Sequence, residues 1–270
     1  MARIHPSAIV EEGAVLDPSA EIGPFCLVGA GAKVGPGATL VSHVAIEGDV
    51  TLAAGVRIEA FCKVGGAPQS LSYKGEPTRV EIGEATHLRE GVTVSRGTAG
   101  GGGLTRIGAR CHLFAASHVG HDCALGDDVI LTNGALLAGH CEIGDGVIFG
   151  GAAMALQRTR IGRGAFVSGL AGVTRDVIPF GLVIGAPAEL AGLNVVGLTR
   201  RGLDRAALGR LRAAYRAIFF GPAGSTLADR LDGAQARHGA DPLAAEMFAF
   251  VRAGGDRPLC TPRAGRGVDA

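Results

Sequence analysis

The chain has 270 residues, 47% of them hydrophobic, yet it holds no Trp, two Tyr and ten Phe against 45 Gly. A formal net charge of +1 gives no basic excess, which argues against a nucleic-acid partner. No apolar run approaches the ~20 residues needed to cross a bilayer, and the opening MARIHPSAIV lacks a secretory leader, so a soluble cytoplasmic protein without membrane insertion is expected.

From the N-terminus an aliphatic residue recurs every sixth position, from Ile4, Val10, Leu16 and Ile22 to Val64 without a miss. The phase resumes at Ile82, Leu88 and Val94, and again from Ile107 to Val173, with Phe149 and Ala155 as weaker members. A second, smaller register sits four positions after each, as in Ala8, Ala14, Ala20 and Cys26, and later Cys111, Ser117, Cys123, Val129 and Cys141. An amphipathic helix repeats its apolar face at three and four, so this pattern cannot be helical. A large and a small inward residue per hexad fit a parallel β-solenoid of short strands joined by corners. Glycine after the aliphatic residue, as at Gly23, Gly108 and Gly126, reads as a corner that only glycine bends at low cost. Cys26, Cys62, Cys111, Cys123 and Cys141 fall in the small register, which makes them buried thiols rather than a disulfide or zinc framework.

Two stretches break the phase: QSLSYKGEPTRV at 69–80 and RGTAGGGGLTR at 96–106, whose Gly100–Gly103 run is expected to be mobile. A solenoid accepts insertions only as loops on its faces, and long loops in compact repeats are more often functional than not. The repeat ends near PFGLVIGAPAEL, residues 179–190. Beyond it Asp204 caps a predicted helix to about Phe220, with Leu208, Leu211, Tyr215, Ile218 and Phe219 on one face. Residues 225–238 and 242–253 read as two more helices, the latter opened by Asp241–Pro242, and RAGRGVDA reads as a disordered tail. The expected division is a β-solenoid over 1–186 and a helical domain over 187–270.

The chemistry-bearing stretch is HVGHDC, residues 118–123. The six-residue phase sends Val119 and Cys123 inward and leaves His118, His121 and Asp122 outside. Taken alone, this is a metal cluster, a base with its helper, or polar decoration of a strand. The hexads resemble the bacterial hexapeptide-repeat transferases, whose fold is an all-β left-handed parallel β-helix with coils about 4.8 Å apart. AIVEEGA, IGPFCLVG, GEPTRVEIG, RGT followed by GGGLT, HVGHDC, LAGH and GLTRRG, in that order across residues 8–202, resemble the UDP-N-acetylglucosamine O-acyltransferase that opens lipid A synthesis in Gram-negative bacteria.

That resemblance implies a cytoplasmic homotrimer with active sites between neighbouring solenoids. It implies transfer of an (R)-3-hydroxyacyl chain from acyl carrier protein to the 3-position of UDP-N-acetylglucosamine. No cofactor is expected beyond the phosphopantetheine that carries the donor, and no metal. A thioester is already electrophilic, so the poor nucleophile is the sugar hydroxyl, and a histidine base suits it. By resemblance His121 is that base, Asp122 its orienting carboxylate, and Gly139 the oxyanion donor. His118, His140, Gln69, Gln157 and Asn194 match substrate contacts, and Arg200 and Arg201 match a pair on diphosphate and carrier. Gly169 matches the acyl-length ruler; a glycine there leaves the groove open and predicts a longer acyl chain.

The pattern departs from the family where an Asp and a Lys normally hold the sugar, at Ser70 and Ser72. Leu156 and Ser95 likewise stand where the family has histidines. The loss of both charges leaves a 3-amino UDP-sugar acceptor, with an N-acyl product, as an alternative. Two other readings are a zinc site built from His118, His121 and His140, and a non-catalytic scaffold or inactive paralogue. The zinc reading gives the Arg pair and GEPTRVEIG no role.

Overall fold

The computed structural model describes residues 1–222 and 224–262. The RAGRGVDA segment therefore lies outside the described residues. The hexads form the parallel β-helix that their period predicts, left-handed as the resemblance implies, with helices at the C-terminal end. Most strands are only two residues long, such as Arg3–Ile4, Ile9–Val10 and Val15–Leu16, which begin the first, second and third faces. The faces are sheets of eleven, nine and eight strands. Stacking is in strict register: Arg3 on Glu21, Ile9 on Leu27, Val15 on Lys33. The aliphatic register and its small partner line the axis; Leu40, Val64, Leu88, Val119, Cys123, Leu137 and Cys141 are all inaccessible or nearly so. Phe149 and Ala155 keep their places in that core. All six cysteines are free and buried.

The corners differ from the expectation. The left-handed residue comes three positions after the aliphatic one, one before the small slot, and is usually not glycine: Phe25, His43, Phe61, Arg110, Asp122, Asp128, His140 and Arg158 all have φ between 51° and 64°. The glycines directly after the aliphatic residue have a different cause. A Cβ at Gly108 would run into the Gly126 carbonyl, and one at Gly144 would lie 2.5 Å from the Arg163 nitrogen. There the next coil passes too close for any side chain, so the requirement is steric rather than conformational.

Both insertions leave from the same edge of the prism. The first runs from the strand Lys63–Gly66 on the second face to Arg79–Ile82 on the third, and the second from Thr93–Ser95 to Leu104–Ile107. They displace the register without breaking it, so Arg57 pairs with His87 and Arg79 with Leu104. The Gly100–Gly103 run has a defined turn. A 3-10 turn at Ala99–Gly101 is closed by the Gly101 and Gly103 N–H groups, both donating to the Thr98 carbonyl.

The first face does not end at residue 186. Gly181–Ile184 is followed by Glu189–Leu193, which folds back antiparallel on it. The helical part therefore starts after Leu193. It opens with α1, Val195–Arg200, which the apolar periodicity did not reveal because one buried residue, Leu198, is all that anchors it. The three predicted helices follow as α2 (Arg205–Phe219), α3 (Leu227–His238) and α4 (Pro242–Ala253). Asp204 caps α2 through the Ala207 N–H, and Asp241 caps α4 ahead of Pro242. Helix α4 lies along the third face, where Arg163 Nε donates to Glu246 at 3.0 Å and the Arg160 guanidinium sits 4.5 Å from the Phe250 ring centre. Among the described residues no helix is long and apolar enough to cross a membrane.

Candidate active site

The edge that carries both insertions also carries HVGHDC. His118 is on the strand His118–Val119 of the second face, and His121 and Asp122 form the corner that follows. One coil on, the same corner holds Gly139 and His140, and one coil further Gln157 and Arg158. The stack is direct: the His140 N–H donates to the His121 carbonyl at 2.8 Å, and the Arg158 N–H to the Gly139 carbonyl at 3.1 Å.

His121 does not project freely. Its imidazole lies flat over Gly139, where an added Cβ would be 2.5 Å from Cε1 and 2.6 Å from Nε2, and the residue is only 8% exposed. Its Nδ1 meets Asp122 Oδ2 at 2.8 Å. An ionised carboxylate only accepts, so this contact assigns the proton to Nδ1 and leaves Nε2 with its lone pair. The Asp122 side chain is completely buried. Its carboxylate also accepts the Thr98 N–H at 2.8 Å and the Thr98 hydroxyl at 2.6 Å. His140 packs edge-on against His121, ring centres 4.9 Å apart, with its Nδ1 at 3.8 Å from Asp122 Oδ2. Burial pushes the His140 imidazole below its ordinary value, the Asp122 charge opposing and the His121 charge adding. Burial, then the His121 charge, likewise lowers His118, whose Nδ1 shares a 2.7 Å hydrogen bond with the Thr93 hydroxyl.

Ligand-type atoms of His121, Asp122 and His140 lie within 4.8 Å of one another, the spacing of a metal centre. The hydrogen bonds point elsewhere. Asp122 Oδ2 already accepts from the Thr98 hydroxyl and from His121. The set is that of an oriented imidazole beside a satisfied carboxylate.

Gly139 adds the second chemical element. Among the described residues its N–H makes no hydrogen bond. At some equivalent corners a side chain takes this N–H, as Asp127 Oδ1 does for Ala109 and Asp145 Oδ1 for Asp127; among the described residues none does so at 139, nor at 115, 133 or 157. At 139 the donor is left open beside the imidazole, as an oxyanion requires.

These groups border a cleft of about 690 Å³ across the second face. Its floor is apolar and open: Leu136, Met154 and Leu156 are 42%, 50% and 41% exposed. Leu136, Met154 and Leu156 adjoin one another in the cleft beside the histidine and give it an apolar floor that suits an acyl chain. His118, Gln69, Gln157 and Ser95 line the same cleft.

A family model described as UDP N-acetylglucosamine O-acyltransferase, domain 2, matches residues 176–260. The acyl-[acyl-carrier-protein]–UDP-N-acetylglucosamine O-acyltransferase of Caulobacter vibrioides is 51% identical over 259 residues, 96% of this chain and 98% of its own. The chain belongs to the UDP-N-acetylglucosamine O-acyltransferase family. The member from Azorhizobium caulinodans is 46% identical over 265 residues, 98% of this chain and 97% of its own. The crystal structure of the Moraxella catarrhalis RH4 UDP-N-acetylglucosamine O-acyltransferase superposes with a TM-score of 0.91 at 35% identity, covering 95% of this chain and 98% of that one.

Not every residue matched to the family pattern reaches this cleft. Ser70 and Ser72 bond to each other, Oγ to Oγ at 2.9 Å, at an exposed loop tip beside fully exposed Leu71. Gly169 stands at the opposite edge of the second face, three residues before the cleft residue Gly172. Asn194 has both ends of its amide occupied, Oδ1 capping α1 through the Gly197 N–H and Nδ2 donating to the Gly164 carbonyl, each at 3.0 Å. The amide therefore has a structural role within this chain. Arg201 donates to the Gly146 carbonyl, on the corner between the third and first faces, and Arg200 is exposed at the end of α1. Within one chain the Arg pair and His121 occupy different edges. Sequence reasoning quoted Arg96, Thr98 and Thr105 only within RGT and GGGLT and gave them no role, because what these side chains bond to is set by the folded loop.

Proposed function

We propose that the chain transfers an (R)-3-hydroxyacyl group from acyl carrier protein to the 3-hydroxyl of UDP-N-acetylglucosamine, the first step of lipid A biosynthesis. His121 Nε2 takes the hydroxyl proton as the oxygen attacks the thioester carbonyl. The tetrahedral oxyanion is received by the Gly139 N–H. Collapse breaks the C–S bond, and the phosphopantetheine thiolate leaves with the proton that His121 gained. Asp122 holds the imidazole in the tautomer that makes Nε2 basic and offsets the positive charge that develops. The observation that carries this reading is the 2.8 Å His121–Asp122 contact directly beside an unpaired Gly139 N–H.

His118, His140 and Gln69 border the sugar, and Gln157 the donor. The acyl chain runs over Leu136 and Met154 towards Gly169. Arg200 and Arg201 serve a site on a neighbouring copy, since their own His121 is on another edge, so the working form is a homotrimer in the cytoplasm. Full-length relatives at 43–51% identity bear the O-acyltransferase name, which favours the hydroxyl acceptor over its 3-amino analogue.

The test is to supply purified protein, its mass read by light scattering, with (R)-3-hydroxyacyl carrier protein and either UDP-N-acetylglucosamine or the 3-amino sugar. Faster O-acyl product from a species of three chains is expected. A preference for the amino sugar would reassign the acceptor, and a monomer with full activity would remove the shared site.

A further inference from the structure

The corner that holds Asp122 is unlike its counterparts. Asp128, in the same left-handed position on another edge, is more than half exposed and pairs with Arg110 at 2.9 Å. The Asp122 side chain is wholly buried, and among the described residues it has no Arg or Lys partner and is reached by neutral donors and the two histidines. A buried carboxylate is tolerated only when hydrogen bonds replace its hydration. Two of its three close bonds come from one residue. The Thr98 main-chain N–H donates to Oδ1 and the Thr98 hydroxyl to Oδ2, so a single residue, through backbone and side chain together, spans both oxygens and fixes the plane of the carboxylate. That plane aims Oδ2 at His121 Nδ1.

The rest of the insertion is shaped around this contact. A Cβ at Gly101 would overlap the Asp122 carboxylate, and one at Gly97 would meet the loop's own backbone at Leu104 N and Gly103 C before lying 2.8 Å from Oδ1. Thr105, buried at the far end of the loop, accepts the Asp122 N–H at 2.8 Å. The loop is therefore held against both the backbone and the side chain of one residue.

From this we infer that the glycine-rich insertion is a carboxylate clamp and that Thr98 is a positioning residue, acting on His121 through Asp122. The inference rests on His121 being the base. Thr98 touches no reacting atom; it restricts Asp122 to the one orientation that keeps the imidazole over Gly139. Removal of the hydroxyl lets the carboxylate rotate and should slow the chemical step while leaving substrate affinity in place.

Steady-state kinetics with (R)-3-hydroxyacyl carrier protein and UDP-N-acetylglucosamine test it. Thr98→Val should lower kcat about 10-fold with both KM values within about 2-fold, the effect of one hydrogen bond to a charged group. Thr98→Ser should restore most of the rate. Gly101→Ala, whose Cβ would press directly on the Asp122 carboxylate, should reproduce the loss by a second route that leaves the Thr98 hydroxyl in place. In an Asp122→Asn background Thr98→Val should cost less than about 2-fold further, because the two act as one unit. Unchanged kcat in Thr98→Val and Gly101→Ala, or a full 10-fold loss added on top of Asp122→Asn, would overturn the clamp. Activity retained by His121→Ala would instead remove the base itself, a result separate from either of these.

Discussion

His118 and His140 flank the base, and both resist protonation, chiefly because burial disfavours the charged imidazole and secondarily because each feels a charged His121. For His140 Asp122 pulls the other way, and Arg158 and Asp256 act from the rim. With folded-state values below the ordinary 6.5, the unfolded chain takes up these protons first as pH falls. Their contribution to stability is therefore complete above about pH 6.5 and is lost below it. The melting temperature should fall between pH 7 and pH 5, and a His118→Asn, His140→Asn variant should show a shallower fall. Equal slopes would contradict this origin. At this scale the sequence was informative wherever the hexad phase decided direction. It sent Cys123 inward and left His121 and Asp122 out. It could not show that Asp122 would be roofed over, since the roof is a loop that returns from the coil below.

At the scale of the element, the corner rather than the strand carries the strain. A left-handed non-glycine residue costs about 1–2 kcal/mol, and the chain repeats it at Phe25, His43, Asp122, His140 and other corners. The glycines sit instead where one coil crosses another. Gly108→Ala should accordingly destabilise by about 1–3 kcal/mol through overlap with the Gly126 carbonyl. Ala152→Gly, at φ 53°, should be neutral or stabilise by up to about 1 kcal/mol. Chemical denaturation checks both: Gly108→Ala as stable as the parent, or a clear loss in Ala152→Gly, would contradict this division between crossings and corners. The six-residue period and the capped helices α2–α4 were legible because each repeats or is punctuated. Helix α1 and the antiparallel return at Glu189–Leu193 were not, being single short elements with no period to read.

Across the whole molecule, one edge of the prism gathers the function. Both insertions, the His121 corner, the Gly139–His140 corner and Gln157 follow one another along it. The two loops are also tied to each other, Arg96 Nε donating to the Tyr73 hydroxyl at 2.9 Å while Arg96 Nη1 reaches the Gly65 carbonyl at 3.2 Å. The Ser70–Ser72 tip and the Asp122 clamp are thus parts of one assembly, with Arg96 between them. The column was legible, because an eighteen-residue coil follows from three hexads and places 139 over 121. The link between the loops was not, because insertions have no phase.

The central claim is that this edge performs direct acyl transfer with His121 as base. Initial rates of O-acyl product formation by the intact protein and by His121→Ala, on (R)-3-hydroxyacyl carrier protein and UDP-N-acetylglucosamine, test it most directly. The account predicts a rate lower by about 10²–10⁴-fold in the variant. An undiminished rate in His121→Ala, or no product from the intact protein, would contradict it.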